Sequence, residues 1–129
     1  MSIAVGLEAV SCTFATRGGG AYTAVRDVNL AVAEGEFVSV VGPTGCGKST
    51  LLNVVAGLLK PTEGLVRIRR EVLSGVNARA GYMFQSEALM PWRSALDNVI
   101  AGLDFRGEDR AASYPKGEAW LERVGLAGF

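Results

Sequence analysis

One run of nine residues constrains this chain more than any other: Gly42-Pro43-Thr44-Gly45-Cys46-Gly47-Lys48-Ser49-Thr50. It satisfies the spacing G-x-x-x-x-G-K-[ST], with Gly42, Gly47, Lys48 and Ser49 at the fixed places. The flanks agree. Residues 37–41 (Phe-Val-Ser-Val-Val) are mostly apolar and β-branched, as a buried parallel strand requires. Residues 51–59 form an apolar helical run. A glycine loop between a strand and a helix is the setting in which this spacing cradles a polyphosphate.

The residue types explain the spacing. Gly42, Gly45 and Gly47 let the backbone turn so that successive N–H groups point into one concavity. The loop feeds the positive end of a helix, which favours an anion further. Lys48 supplies a point charge for β- and γ-phosphates. The Ser49 hydroxyl is placed to ligate Mg²⁺, a cation that keeps most of its waters. Thr50 is expected to donate to the α-phosphate. Pro43, Thr44 and Cys46 complete the cradle. A glycine-rich turn closing a strand is the bland alternative, and the flanking strand and helix speak against it. Cys46 sits beside a helix N-terminus, which lowers a thiol pKa, yet a small loop filler is the simpler role.

Composition narrows the rest. At 129 residues the chain is one modest domain or a piece of a larger one. Apolar residues make up 49% and aromatics 8%, which suits a soluble α/β core. Lys and Arg number 13, as do Asp and Glu, and the basic residues are scattered. That argues against nucleic acid as a partner. No apolar run approaches the roughly 18 residues of a membrane span, and no signal peptide opens the chain. Cys12 and Cys46 form neither a metal spacing nor a disulfide framework, so a reduced, cytoplasmic setting is expected. Histidine is absent, so this chain cannot complete a mechanism that needs one.

The elements follow in order. Residues 7–14 read as a strand with Leu7, Ala9 and Ser11 on one face and Glu8, Val10 and Cys12 on the other. Residues 22–32 read as a second, with Val28, Leu30 and Val32 alternating against Asn29 and Ala31. Together they suggest an antiparallel pair beside an α/β core. The helix over residues 51–59 is apolar all round and is expected to be buried. Residues 65–69 alternate as a strand with one exposed face. Arg67, Arg69 and Arg70 form a small basic patch, read as a solvated face. Residues 73–76, Leu-Ser-Gly-Val, read as a turn. Residues 81–84 read as a short strand leading to Gln85. Residues 94–103 read as one helix, capped by Ser94 with Asp97, whose apolar stripe is Leu96, Val99, Ile100 and Leu103. Residues 106–114 are expected to be a loop or a frayed helix. Residues 116–124 read as a helix with Trp120, Leu121 and Val124 inward, stopped by Gly125.

Taken together, these stretches resemble the ATP-binding subunit of an ABC transporter. The resemblance rests on Val28-Asn29-Leu30, Glu34-Gly35-Glu36-Phe37, residues 42–52, Ala56-Gly57-Leu58, Pro61-Thr62-Glu63-Gly64 and Phe84-Gln85. The phosphate loop is shared by many NTPases; the other steps are more specific. The resemblance implies an α/β P-loop fold: an antiparallel β subdomain over residues 1–36, a P-loop core over 37–84, and the Q-loop with the start of a helical subdomain over 85–129. It implies that Gln85 contacts Mg²⁺ or the attacking water and relays to a membrane permease. It implies that an aromatic stacks on adenine. Phe14 fits that place, Tyr22 is its rival, and either ring is otherwise ordinary core.

The Leu89-Met90-Pro91-Trp92-Arg93 stretch, followed by Asp97-Asn98-Val99, resembles the importers of nitrate, taurine and other sulfonates. The implied protein couples ATP hydrolysis to solute uptake. It pairs with a second ATP-binding subunit and lies on the cytoplasmic face of the plasma membrane. The family's signature motif, catalytic carboxylate and switch histidine are expected after Phe129. The rival reading is therefore a nucleotide-binding fragment without hydrolysis. A GTPase is disfavoured because no N-K-x-D stretch occurs, and a DNA-repair ATPase by the scattered charge and Pro91-Trp92.

Overall fold

The computed structural model describes residues 2–129. The chain divides between Tyr82 and Met83 into two compact units.

The first unit is built on strands β1 (Ile3–Ala15) and β2 (Ala21–Ala33), which pair antiparallel along most of their length. Helix α1 (Lys48–Val55) follows the glycine loop, and β3 (Glu63–Ile68) returns to pair antiparallel with β1. The two-residue β4 (Glu71–Val72) closes a hairpin with β3. The four-stranded sheet has the order β2-β1-β3-β4. Its inner face supplies Leu7, Val10, Cys12 and Val66, and α1 lays Val54 onto them. Burial of these side chains holds the unit together, at about 1.5–3 kcal/mol for each large apolar group.

The expected alternation along β1 fails first at Ala9. Ala9 has φ +49 and the register shifts between Leu7 and Val10. One extra residue in the strand restarts the in–out pattern. Leu7 and Val10 therefore both face the core, and Ser11 is buried beside Cys12. The Asn29 side chain accepts a hydrogen bond from the Ala9 N–H at 2.8 Å, so the displaced backbone keeps a partner.

Three other expectations change. Residues 37–41 and 81–84 form no ladder with any other described residue. Parallel strands hold only against neighbours, and the described residues provide none. Phe37 is 93% exposed and Val41 89%. The α1 run is covered on the sheet side alone, leaving Leu52 and Leu58 about half exposed. The turn over 73–76 forms as expected and docks on the end of α1, where buried Asn77 donates its backbone N–H to the Ala56 carbonyl at 2.9 Å.

The second unit holds α2 (Ala95–Val99), α3 (Ala101–Phe105) and α4 (Arg110–Arg123). Ser94 caps α2 by accepting from the Asp97 N–H at 3.1 Å. The single helix expected over 94–103 is instead two, broken at Ile100, whose ψ of 0° lies outside the helical range. Helix α4 starts six residues earlier than expected and carries Pro115 within it. Its buried stripe is Ser113, Gly117 and Leu121, at i, i+4 and i+8. Trp120 and Val124, expected inward, are more than half exposed.

Candidate functional site

The loop from Gly42 to Gly47 leads into α1 with Gly47 as its N-cap, at φ +97. A Cβ at Gly47 would stand 2.6 Å from the Ala24 carbonyl oxygen and 2.7 Å from the Val25 side chain. Only glycine meets both demands there, the positive φ and the close approach to β2. Gly42 is constrained differently: a Cβ there would meet the Cys46 sulfur at 2.7 Å. Cys46 thus folds over Gly42, as a loop filler does.

Lys48 reaches back across the loop. Its ammonium donates to the Gly42 carbonyl at 2.8 Å and the Pro43 carbonyl at 2.7 Å, and lies 3.6 Å from the Cys46 sulfur. A cation held over the loop by two carbonyls is placed to meet a polyphosphate. Ser49 and Thr50 lie in the first turn of α1, where N–H groups lack intrahelical acceptors. Thr44 is exposed in the turn before Gly45.

Phe14, Tyr22, Ala24, Gly45, Gly47, Lys48, Ser49 and Thr50 line one cleft of about 270 Å³. Phe14 and Tyr22 are cross-strand partners. The Tyr22 hydroxyl also donates to the Gly45 carbonyl at 3.3 Å. The structure thus brings the phosphate loop and both candidate stacking rings together. Ala24 was not legible as a lining residue, since only the fold carries β2 past the loop. Gln85 falls in the second unit, where it is exposed. Among the described residues no group of three His, Cys, Asp or Glu side chains stands ready to hold a metal.

A larger groove of about 740 Å³ crosses the sheet near Gly6, with Arg67, Arg69 and Arg70 along one side. Two of these guanidiniums are already paired, Arg67 with Glu8 at 2.8 Å and Arg69 with Glu34 at 3.5 Å. Size does not make it the better phosphate site, because it lacks a loop of inward N–H groups.

The ABC transporter family model matches residues 25–129. The chain belongs to the ABC transporter family. It is 46% identical over 122 residues to the taurine import ATP-binding protein of Pseudomonas aeruginosa PAO1, covering 95% of this chain and 46% of that protein. It is 41% identical to the protein of the same name from Pelagibacter ubique, over 90% of this chain and 44% of the relative. This ABC chain therefore spans about half the length of the curated relatives it matches.

A dimeric ATP-binding cassette in a post-hydrolysis state, bound to ADP and Pi, superposes with a TM-score of 0.84 at 33% identity. That match covers 96% of this chain and 58% of the cassette. A dimeric bacterial ABC transporter cassette superposes with a TM-score of 0.77 at 34% identity. The fold is thus that of the N-terminal part of an ABC ATPase cassette, with its antiparallel sheet and phosphate loop. No helix among the described residues is long and apolar enough to cross a membrane.

Proposed function

We propose that this chain is the nucleotide-holding part of an ATP-binding subunit that powers import of a small sulfonate-like solute. One observation carries the reading. The loop ending at Lys48, Ser49 and Thr50 opens on the same cleft as the Phe14 and Tyr22 rings. A triphosphate on the loop therefore has an aromatic surface within reach of its base. The names of the relatives support the importer and the solute class.

In this reading Gly42, Pro43, Thr44, Gly45, Cys46 and Gly47 wrap the phosphates with their backbone. Lys48 offsets charge on the β- and γ-phosphates, and more so as charge shifts during in-line attack by water. Thr50 donates to the α-phosphate, and Phe14 offers its ring to adenine. Ser49 would hold Mg²⁺ from the first turn of α1. With so few protein ligands, the ion keeps waters and takes phosphate oxygens, as Mg²⁺ does. When bound, it neutralises phosphate charge. Among the described residues no carboxylate lines the cleft. The cleft therefore binds and polarises its substrate, and the group that takes the proton from water comes from elsewhere in the assembly.

The partners in this reading are a transmembrane permease and a second ATP-binding subunit, on the cytoplasmic face of the plasma membrane. The solved relatives are described as dimeric, which supports the pairing. Calorimetric titration of the chain with Mg-ATP tests the core of the proposal. The chain should bind, and Lys48→Ala should abolish binding. Equal affinity in both proteins would remove the phosphate-loop assignment.

A further inference from the structure

We propose that Tyr22 is a positioning residue for the phosphate loop: its hydroxyl holds the Gly45–Cys46 peptide so that the Cys46 N–H faces into the loop. The proposal rests on the reading of this cleft as a nucleotide site. Three observations converge. The Tyr22 hydroxyl donates to the Gly45 carbonyl at 3.3 Å. The next N–H, that of Cys46, donates to the Pro43 carbonyl at 3.4 Å, back across the loop. Gly45 itself has φ +80, and nothing lies within 4 Å of where its Cβ would stand.

The carbonyl and the N–H of a trans peptide point in opposite directions. With the Gly45 carbonyl turned to the Tyr22 hydroxyl, the Cys46 N–H points the other way, across the loop toward Pro43. Packing does not enforce this orientation, because the space around Gly45 is open. Glycine can move to other backbone regions at little steric cost. Two long hydrogen bonds hold the peptide plane at a permissive residue. If the peptide turned over, a carbonyl oxygen would point across the loop where the Cys46 N–H stood. An anion cradle built from inward N–H groups would lose one donor and gain a repulsive dipole.

Tyr22 is well placed for this task because it does not belong to the loop. It sits on β2, directly across from Phe14 on β1. The sheet thereby sets the conformation of a loop about twenty residues further along the chain. The two rings divide the work. Phe14 has no hydroxyl and offers only its face. Tyr22 places its oxygen on the loop.

The test uses two ligands, Mg-ATP and inorganic tripolyphosphate, titrated calorimetrically into the wild-type chain, Tyr22→Phe and Phe14→Ala. Tyr22→Phe keeps the ring, and the ring is half exposed, so the fold should survive. This variant should weaken both ligands by the same factor, about threefold to tenfold, the worth of one hydrogen bond. Phe14→Ala should weaken Mg-ATP alone. In the absence of ligand, the Cys46 amide resonance should shift in Tyr22→Phe and stay put in Phe14→Ala. Unchanged affinity for both ligands in Tyr22→Phe overturns the proposal. So does weakened ATP binding with tripolyphosphate unaffected, since Tyr22 would then serve the base. A wild-type chain that binds neither ligand overturns the nucleotide reading instead.

Discussion

A side chain at Gly47 would stand 2.6 Å from the carbonyl oxygen of Ala24, so the phosphate loop and β2 meet at a point with no room for a methyl group. That carbonyl is β2 backbone, the extra residue between Thr23 and Val25, which pair with Thr13 and Cys12, so moving it means moving the strand. Gly47→Ala therefore meets two penalties, the clash and a φ of +97 that alanine avoids. The expected outcome is a loss of about 2–4 kcal/mol in chemical denaturation, together with loss of Mg-ATP binding. Full stability in Gly47→Ala would mean that the loop does not press on β2.

A second expectation concerns pH. Asp97 accepts hydrogen bonds from Ser94 at 2.8 Å and from the Tyr114 hydroxyl at 2.9 Å, and these bonds hold its carboxyl below the ordinary carboxylate range. A depressed folded-state pKa adds stability that is present above the unfolded value and lost as pH falls through the folded one. The helical unit should therefore soften as pH drops below the ordinary carboxylate range. Asp97→Asn should flatten that dependence. Hydrogen exchange in residues 95–123, followed as the pH is lowered, gives the check. Identical acid profiles for the two proteins would remove Asp97 from the account.

Gly117 gives a third. A Cβ there would lie 2.6 Å from Ile100 Cγ2 and 2.7 Å from Leu96 Cδ1. Ile100 is fully buried and β-branched, so it has nowhere to rotate. Gly→Ala in mid-helix gains about 0.5–1 kcal/mol from backbone entropy. Overpacking costs about 1–3 kcal/mol, so the clash wins and Gly117→Ala should lower the melting temperature. A rise in melting temperature would show that α4 can lift off α2 freely.

Trp92 follows from exposure. The ring is 78% exposed, so it is no lid on its own unit. Trp92→Ala should change stability by less than about 0.5 kcal/mol, as surface substitutions do. Leu89, at 73% exposed, lies near it in the chain. In the proposed importer these apolar groups offer the permease an anchor. Co-purification of the full-length subunit with its permease should fall in Trp92→Ala while Mg-ATP binding stays unchanged. Undiminished co-purification would detach this loop from the permease.

What could be read in advance follows from how local each feature is. The phosphate loop was legible because its glycines and Lys48 act over nine residues. The Ser94 cap was legible for the same reason. The strands expected over 37–41 and 81–84 do not pair, because a parallel strand exists only beside partners, and the described residues supply none. The face assignment of β1 failed at Ala9, since a bulge is a property of two strands and no single residue announces it. Helix α4 was misread for a different reason. Its buried stripe of Ser113, Gly117 and Leu121 is made mostly of small residues, which no count of large apolar side chains detects. The meeting of Phe14, Tyr22 and Gly45 was legible only as a choice between two rings. The structure sets both on one cleft.

The bulge at Ala9 reaches further than its own strand. Gly64 stands opposite it on β3, with φ +77, and a Cβ there would lie 2.3 Å from the carbonyl oxygens of both Glu8 and Ala9. The two features are thus one coupled structural choice. Straightening β1 by deleting one residue removes the clash at position 64. A chain that keeps the extra residue remains bound to glycine there. A side chain at position 64 should therefore be rejected while β1 keeps its extra residue, whereas the deletion leaves glycine acceptable, so the order of the two steps is fixed: the strand straightens first and the glycine is free to change afterwards.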